Sequence, residues 1–526
     1  MTESDAQPAS PPPAPIPSTT SPAPRDAVPL ALTAILSLTA FALTYRADGA
    51  GLNMLLIAAA VVGGLLWALR RRQITAQPAA VLVLGFGLIC ALGLTLRGGS
   101  LMSGLNTLGL LTAFSLGAAF LRLPGLTRLG TGGLLLSLIL GFGRAFYGFP
   151  AALGRFPWAR LRGGAWQRHG ITRQGGGRVL IGVLLTVPVL VVFGGLLSSA
   201  DERFGQLLSR LLTWNVGDLP TALLQLGLWA FFLGSPIYAA LLARRATPDL
   251  ADLERFAPRL GLIELGLPLL SLSLLFCAYL GLQASTFFGN GLDAGLTYSE
   301  AARQGFGQLT TVAALTLALL LLSHTLLRRE LRLTLAYRFI SAAVLLPLAL
   351  LIASAYIKLN LYISAYGLSE IRVLGAVFLG WVSVSLLAFA VLGWQGKLER
   401  FAYFSLISGL SIIAGLNVVS PGRLIATLNI SRDLQDVRTG ERESHQEANF
   451  YELLNLGADA VPLIVAHLDR LTYPGNEVST ASEQRPKPSR GQAEQTLHER
   501  YPSPTDWRSW NWARSRAQGL VVGLGY

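Results

Sequence analysis

A chain of 526 residues that is 52% hydrophobic and only 13% charged does not read as a soluble domain, in which roughly a quarter of residues are charged. Its formal net charge of +13 does not make it a nucleic-acid binder: the cations sit in short loops between apolar runs, and no soluble segment interleaves basic and aromatic residues as such a face requires. Lys358, Lys397 and Lys487 are the only lysines, so the positive charge is almost wholly arginine.

Residues 1–27 are rich in Pro, Ala and Ser and poor in large apolar side chains. Such a segment buries too little surface to offset its chain entropy and is expected to be disordered. It lacks the basic lead and short apolar stretch of a cleavable signal peptide. Apolar runs near the roughly 20 residues needed to cross a bilayer follow at 28–45, 51–69, 79–96 and 104–121. A second set occupies 179–199, 220–243, 260–283, 306–327, 335–357, 372–393 and 401–419. The fold class this predicts is all-α, a polytopic transmembrane helical bundle of about eleven spans with a disordered N-terminus and a short helical C-terminal tail. The chain divides accordingly into the N-terminal segment, a four-span region at 28–121, an Arg-rich cytoplasmic or interfacial segment at 122–178, a seven-span core at 179–419 and a helical, partly disordered tail at 420–526.

Charge decides how the spans are oriented. From Gly49 to Ala200 there is no Asp or Glu, and nine arginines lie between Arg122 and Arg178. The apolar run at 129–149 opens on a glycine cluster and contains Arg144. If it lies in the interface or re-enters, then the Arg70-Arg71-Arg72 loop, the arginine-rich segment, and the loops with Arg244 and Arg245, with Arg328, Arg329 and Arg332, and with Lys397 and Arg400 all share one face. That arrangement satisfies the positive-inside rule. It predicts a cytoplasmic N-terminus and an extracytoplasmic C-terminus.

Beyond the last span, 431–449 is polar and Tyr451 to Leu471 reads as two short helices, with Pro462 suited to the first turn of the second. Residues 474–505 read as a Pro- and Ser-rich linker. The terminal DWRSWNWARSRAQGL suits a short helix, its tryptophans either in the headgroups or packed on the tail.

Little in the chain carries recognisable chemistry. Cys90 and Cys277 fall inside apolar runs, and His169, His324, His445, His467 and His498 are scattered, so no metal or cofactor is expected. No GxSxG elbow or phosphate-binding loop occurs. Glu264 and His324 are the ionisable groups placed within spans, which makes them candidates by default. The other candidate is the stretch YIKLNLYISAYGLSEIR at Tyr356–Arg372. Leu359, Tyr362 and Tyr366 share one helical face, Gly367 is suited to end that helix, and Ser369 and Glu370 to open the next. Lys358 can snorkel outward. On the predicted topology SSADERF (Ser198–Phe204) and YSEAARQGF (Tyr298–Phe306) lie on the same face, so Glu300, Arg303, Lys358, Asn360, Tyr362, Tyr366, Glu370 and Arg372 form a polar cluster there.

These segments carry a resemblance. LIGVLLTVPVLVVFGGLLSSADERF, Gln283 with Phe288-Gly289, TYSEAARQGF, LYISAYGLSEIR, PGRLIATLNISR, LGADAVP and WRSWNWARSRA resemble, in order, a bacterial multi-pass membrane family known as a domain of unknown function, number forty-one seventy-three. The resemblance covers about 178–526. It implies the helical membrane fold and a bacterial inner (plasma) membrane, and no activity. Ala301 and Gly422 depart from the pattern, where a second tyrosine and an acid are usual.

Three functions are compatible with this reading, and catalytic residues are unassigned. A non-catalytic scaffold or sensor uses the outward motifs and tail to meet an envelope or protein partner, the lipid bilayer being its other partner. A transporter or channel suits the number of spans and Pro188, Pro268 and Pro347, but not the uncharged midplane. A membrane enzyme on a lipid-linked substrate would use Glu300, Glu370 or Asp201 as base or metal ligand, with Arg303 and Arg372 holding an anionic group.

Overall fold

The computed structural model of the protein describes residues 27–139, 141, 219–242, 260–288, 298–439, 449–472, 487–502 and 506–524. Ten long helices fall at the expected positions: α1 (Val28–Thr44), α2 (Leu52–Arg71), α3 (Pro78–Leu96), α4 (Ser100–Phe120), α5 (Leu219–Leu241), α6 (Leu262–Phe288), α7 (Tyr298–Leu326), α8 (Leu335–Tyr366), α9 (Glu370–Trp394) and α10 (Phe401–Val419). All but α1, which has 17 residues, are long and apolar enough to cross a membrane. The expected span at 179–199 lies outside the described residues. No β-strand occurs among the described residues, the nearest being an isolated bridge between Leu260 and Leu327.

Two apolar clusters build the bundle, one from α1 to α5 and the other from α6 to α9. Lipid offers helices no hydrophobic reason to associate, so close packing must do it. On α4, Gly109, Ala113 and Gly117 recur every fourth residue and present one small-residue face to α3. A Cβ on Gly109 would stand 2.7 Å from Cys90 Sγ, and one on Gly117 would stand 2.6 Å from Leu84 Cγ. Gly87 of α3 answers Ala113 at 3.1 Å.

The chain reverses alternately at two ends. At one end gather Arg70–Arg72, the 3-10 turn Leu126–Arg128 and the 3-10 turn Leu398–Arg400. Arg72 donates to Leu241 O at 3.2 Å, Gln77 N donates to Leu121 O at 2.8 Å, and Arg128 Nε meets Glu399 at 3.9 Å. Leu260 and Leu327 bring the Arg328–Arg332 turn to the head of α6. This is the arginine end. Residues 131–139 form a helix that starts there, and the carbonyl of Gly141 accepts from Ser235 Oγ at 2.9 Å. The rest of the apolar run to 149 lies outside the described residues.

At the opposite end lie the turns 45–51, 97–99 and 367–369, and the tail covers them. It comprises α11 (Pro421–Thr439), α12 (Phe450–Asn455), α13 (Val461–Ala466), α14 (Leu468–Leu471), α15 (Arg490–Arg500) and α16 (Trp512–Val522). These have a core of their own around Phe450, Val461, Ile464, Leu497 and Ala517. The stretch expected to be a linker therefore contains a helix. Its cause is local: Ser489 accepts from Gln492 N while Gln492 Oε1 accepts from Ser489 N, a complete capping box. Pro462 sits in the first turn of α13 as expected. The last helix packs through Ala513, Ala517 and Val521, while Trp512 at its start and Trp507 and Trp510 just before it stay exposed.

Candidate functional site

The turn between α8 and α9 closes as its residues dictate. Gly367 adopts φ 73° and ends α8 with its N–H on Ile363 O, a conformation that costs glycine nothing. Ser369 occupies the N-cap of α9, but its side chain makes no capping bond. Arg372 is drawn back over the turn: it donates to Tyr366 O at 2.8 Å and to Gly367 O, and its guanidinium lies 4.2 Å from the Tyr362 ring centroid and 5.7 Å from that of Tyr366. Its fork therefore spans free carbonyls at a helix C-terminus, where a cation is favoured. Three of the eight cluster candidates thus act on each other, to shape the backbone.

The others divide. Lys358 Nζ reaches Tyr279 Oη at 3.5 Å, and Asn360 is exposed. Glu300 and Arg303 lie in the first two turns of α7, but their side chains, like Asp201, fall outside the described residues; their convergence with the turn stays an expectation. Glu264 is exposed and bends back toward Gly261, where a Cβ would stand 2.5 Å from its Oε2. His324 lies beside Tyr337, the ring centroids 5.9 Å apart and the planes tilted by 41°.

Glu370 is the candidate the fold places in a site. It lies on the border of two adjoining clefts of about 1030 and 360 Å³ at the tail end, and Ser100 Oγ is 3.5 Å from its carboxylate. The larger cleft takes Gly98, Ser100 and Ser103 from the bundle and Asn455, Arg500, Tyr501, Asp506 and Arg514 from the tail. Burial pushes the Tyr501 phenol up, while Arg500 and Arg514 beside it act in the opposite sense. Ser509, buried in the same wall, leaves its hydroxyl without a protein partner. Volumes of this size, mixed in polarity and walled by two substructures, are typical of ligand sites.

The residues that assemble this site are ones that sequence reasoning did not single out. Asp459 accepts from Gly98 N at 2.8 Å and pairs with Arg97 at 3.5 Å, its side chain 5% exposed. Arg97 also donates to Asn417 O at 2.6 Å. Asn511 donates to both Leu94 O and Arg97 O at 2.8 Å, so one amide closes the exposed end of α3. Asn429 grips Leu368 from both sides, accepting its N–H at 2.9 Å and donating to its carbonyl at 2.8 Å. Arg432 donates to Ile363 O at 2.9 Å and to Ser364 O. Leu52 N donates to Trp510 O at 2.9 Å, and Arg508 donates to Ala42 O at 2.7 Å. Each of the turns 45–51, 97–99 and 367–369 is thus met by the tail. The sequence signal was faint but present: polar residues within PGRLIATLNISR, LGADAVP and WNWARSRA. Gly422, which departs from the resembled pattern, has 2.9 Å between its Cβ position and Leu456 O, which leaves no room there for an acid.

Two stacked features, a many-helix membrane bundle and a folded tail that caps one end of it, define the class: a polytopic membrane protein with a docked helical tail. The chain belongs to the family described as a domain of unknown function, DUF4153, which matches residues 80–467. That family is numbered 4153 rather than forty-one seventy-three, and the match begins within α3, earlier than the sequence motifs reach, and ends before α15 and α16. No curated protein and no solved structure matches the chain.

Proposed function

We infer that this is a non-catalytic scaffold or sensor of the membrane, in which the tail and the turns of the bundle jointly hold a ligand or partner. The observation that carries the reading is the composition of the larger cleft: one wall belongs to the bundle and the other to the tail. Anything bound there must read, or set, the contact between them. Arginine bias and the positive-inside rule favour the arginine end as cytoplasmic, which puts this cleft on the extracytoplasmic side. An envelope component is then the natural partner.

Transport is the weaker reading. The cavity at the depth of the spans, about 740 Å³ between α4, α7, α9 and α10, is lined almost wholly by leucines, isoleucines and other apolar groups, whereas carriers place polar or broken-helix sites there. Catalysis has less support still, because Arg372 is committed to carbonyls and does not stand over Glu370 as an anion holder.

The test is hydrogen exchange on the full chain in lipid nanodiscs, with solubilised envelope fragments added. Joint protection of peptides around 97–103, 455–459 and 500–515 is the expected result. No protection at any of them, together with solute flux in proteoliposomes, would replace this reading with transport.

A further inference from the structure

A second polar site lies at the other end of the molecule. Between the last turn of α7, the first two turns of α8 and the end of α9 is a cavity of about 80 Å³. Tyr337, 5% exposed, and Ser341, 8% exposed, lie one helical turn apart on α8 and line it. His324 enters from α7, Arg338 from α8 and Arg332 from the intervening turn. Tyr337 Oη, Ser341 Oγ, His324 Nδ1 and Arg338 Nε are all buried; the two hydroxyls lie near enough to interact with each other, but no hydrogen bond of ordinary geometry satisfies any of the four. Buried polar groups are rarely left this way, and four around one small cavity ask for an occupant.

The donor set identifies its chemistry. Arg Nε can only donate, the two hydroxyls and the imidazole can all donate, and no Asp or Glu lines the cavity. Of the two guanidinium groups at its edge, Arg332 donates to Leu327 O at 3.1 Å and to Thr325 O at 2.8 Å, which leaves Arg338, 5.2 Å above Trp394, as the cation that faces an occupant. The volume accepts a single tetrahedral oxyanion, or a few waters at about 30 Å³ each. Trp394, 58% exposed at the end of its span, marks the level of the headgroups. Basic pockets between helices at this depth hold phosphate-bearing headgroups.

We propose that this cavity binds a phosphate oxyanion, presented by an anionic lipid of the leaflet at the arginine end. The site is independent of the cleft under the tail. Purified full-length protein in detergent, titrated separately with phosphatidylglycerol, phosphatidylcholine and sodium phosphate, tests it by thermal unfolding and by native mass spectrometry. Phosphatidylglycerol should raise Tm and persist as one bound lipid, while phosphatidylcholine should not. Stabilisation by sodium phosphate as well would support the oxyanion site and make free phosphate a second source. Tyr337→Phe and Ser341→Ala, which keep the packing, should each bind about tenfold more weakly, as expected for one lost hydrogen bond to a charged group. Arg338→Gln should lose the lipid. Equal stabilisation by phosphatidylcholine, wild-type affinity in Tyr337→Phe and Ser341→Ala, or no shift with any of the three additives would each overturn the proposal and leave the cavity to water.

Discussion

Asp459 satisfies two donors of the α3–α4 turn, Gly98 N and Arg97, from a segment more than three hundred residues away in sequence. Its carboxylate is buried, so its removal leaves the Gly98 amide without its acceptor, while Arg97 keeps only the carbonyls of Asn417 and Val418. Asp459→Ala should cost about 1.5–3 kcal/mol, the range for hydrogen bonds to charged groups, and should speed proteolysis of the tail while leaving the spans intact. Limited proteolysis in nanodiscs reads both; a tail as resistant as wild type would show that the seam does not depend on this residue. Gly93 makes the complementary point within the membrane. Asn106 and Asn417 exchange two hydrogen bonds at 2.9 and 2.7 Å, and a Cβ on Gly93 would lie 2.4 Å from Asn417 Oδ1 and 2.6 Å from Asn106 Nδ2. Gly93→Ala should therefore lower Tm in detergent, at about 1–3 kcal/mol for overpacking. An unchanged Tm would mean that α4 and α10 can move apart at no cost.

At the scale of elements, the stretch 506–510 shows how a short turn fixes a long helix. Asp506 accepts from Arg508 N at 2.9 Å and from Arg508 Nε at 2.7 Å, which aims the other arm of Arg508 at the end of α1. Those bonds hold the Asp506 carboxyl below the usual aspartate range. A folded value below the unfolded one means the contribution is complete above the ordinary aspartate range and is lost as pH falls through the lowered value. Acidification from neutral should thus release the tail from α1 only below the ordinary aspartate range, and Asp506→Asn should remove that step. Hydrogen exchange of the 506–515 peptides against pH measures it; a release centred near neutral pH would assign it to other groups. The helices themselves were largely legible. The apolar runs give α2 to α4 and α6 to α10 within a few residues at most starts, because lipid permits little except a continuous apolar helix. The misses have local causes. α7 begins at Tyr298 and α8 runs on to Tyr366, because helix continues past the greasy core into polar residues that hydropathy does not count. α15 was hidden for the same reason, its capping box at Ser489 and Gln492 outweighing the Pro- and Ser-rich surroundings.

For the molecule as a whole, the alternation of spans puts the described arginine turns at one end and the described helices of the tail at the other. Reporters fused after Gly125 and at the C-terminus should therefore give opposite readings, with the arginine end cytoplasmic on the positive-inside rule. Identical readings from both would break the helix order described here. The sequence by itself determined the class of molecule: its composition excludes a soluble fold, and its apolar runs set where the described helices fall and in what order, because each span answers to lipid independently of its neighbours. It also marked the turn at Gly367 and the polar residues around it. Only the tertiary structure decided what those residues do. Arg372 serves its own turn, Glu370 borders a cleft, and Asp459, Asn429 and Asn511 reach back to cap turns laid down much earlier in the chain. Local pattern cannot foretell such bonds, since which carbonyl is left open at a helix end is a local matter, but which side chain arrives to fill it depends on how the whole chain packs.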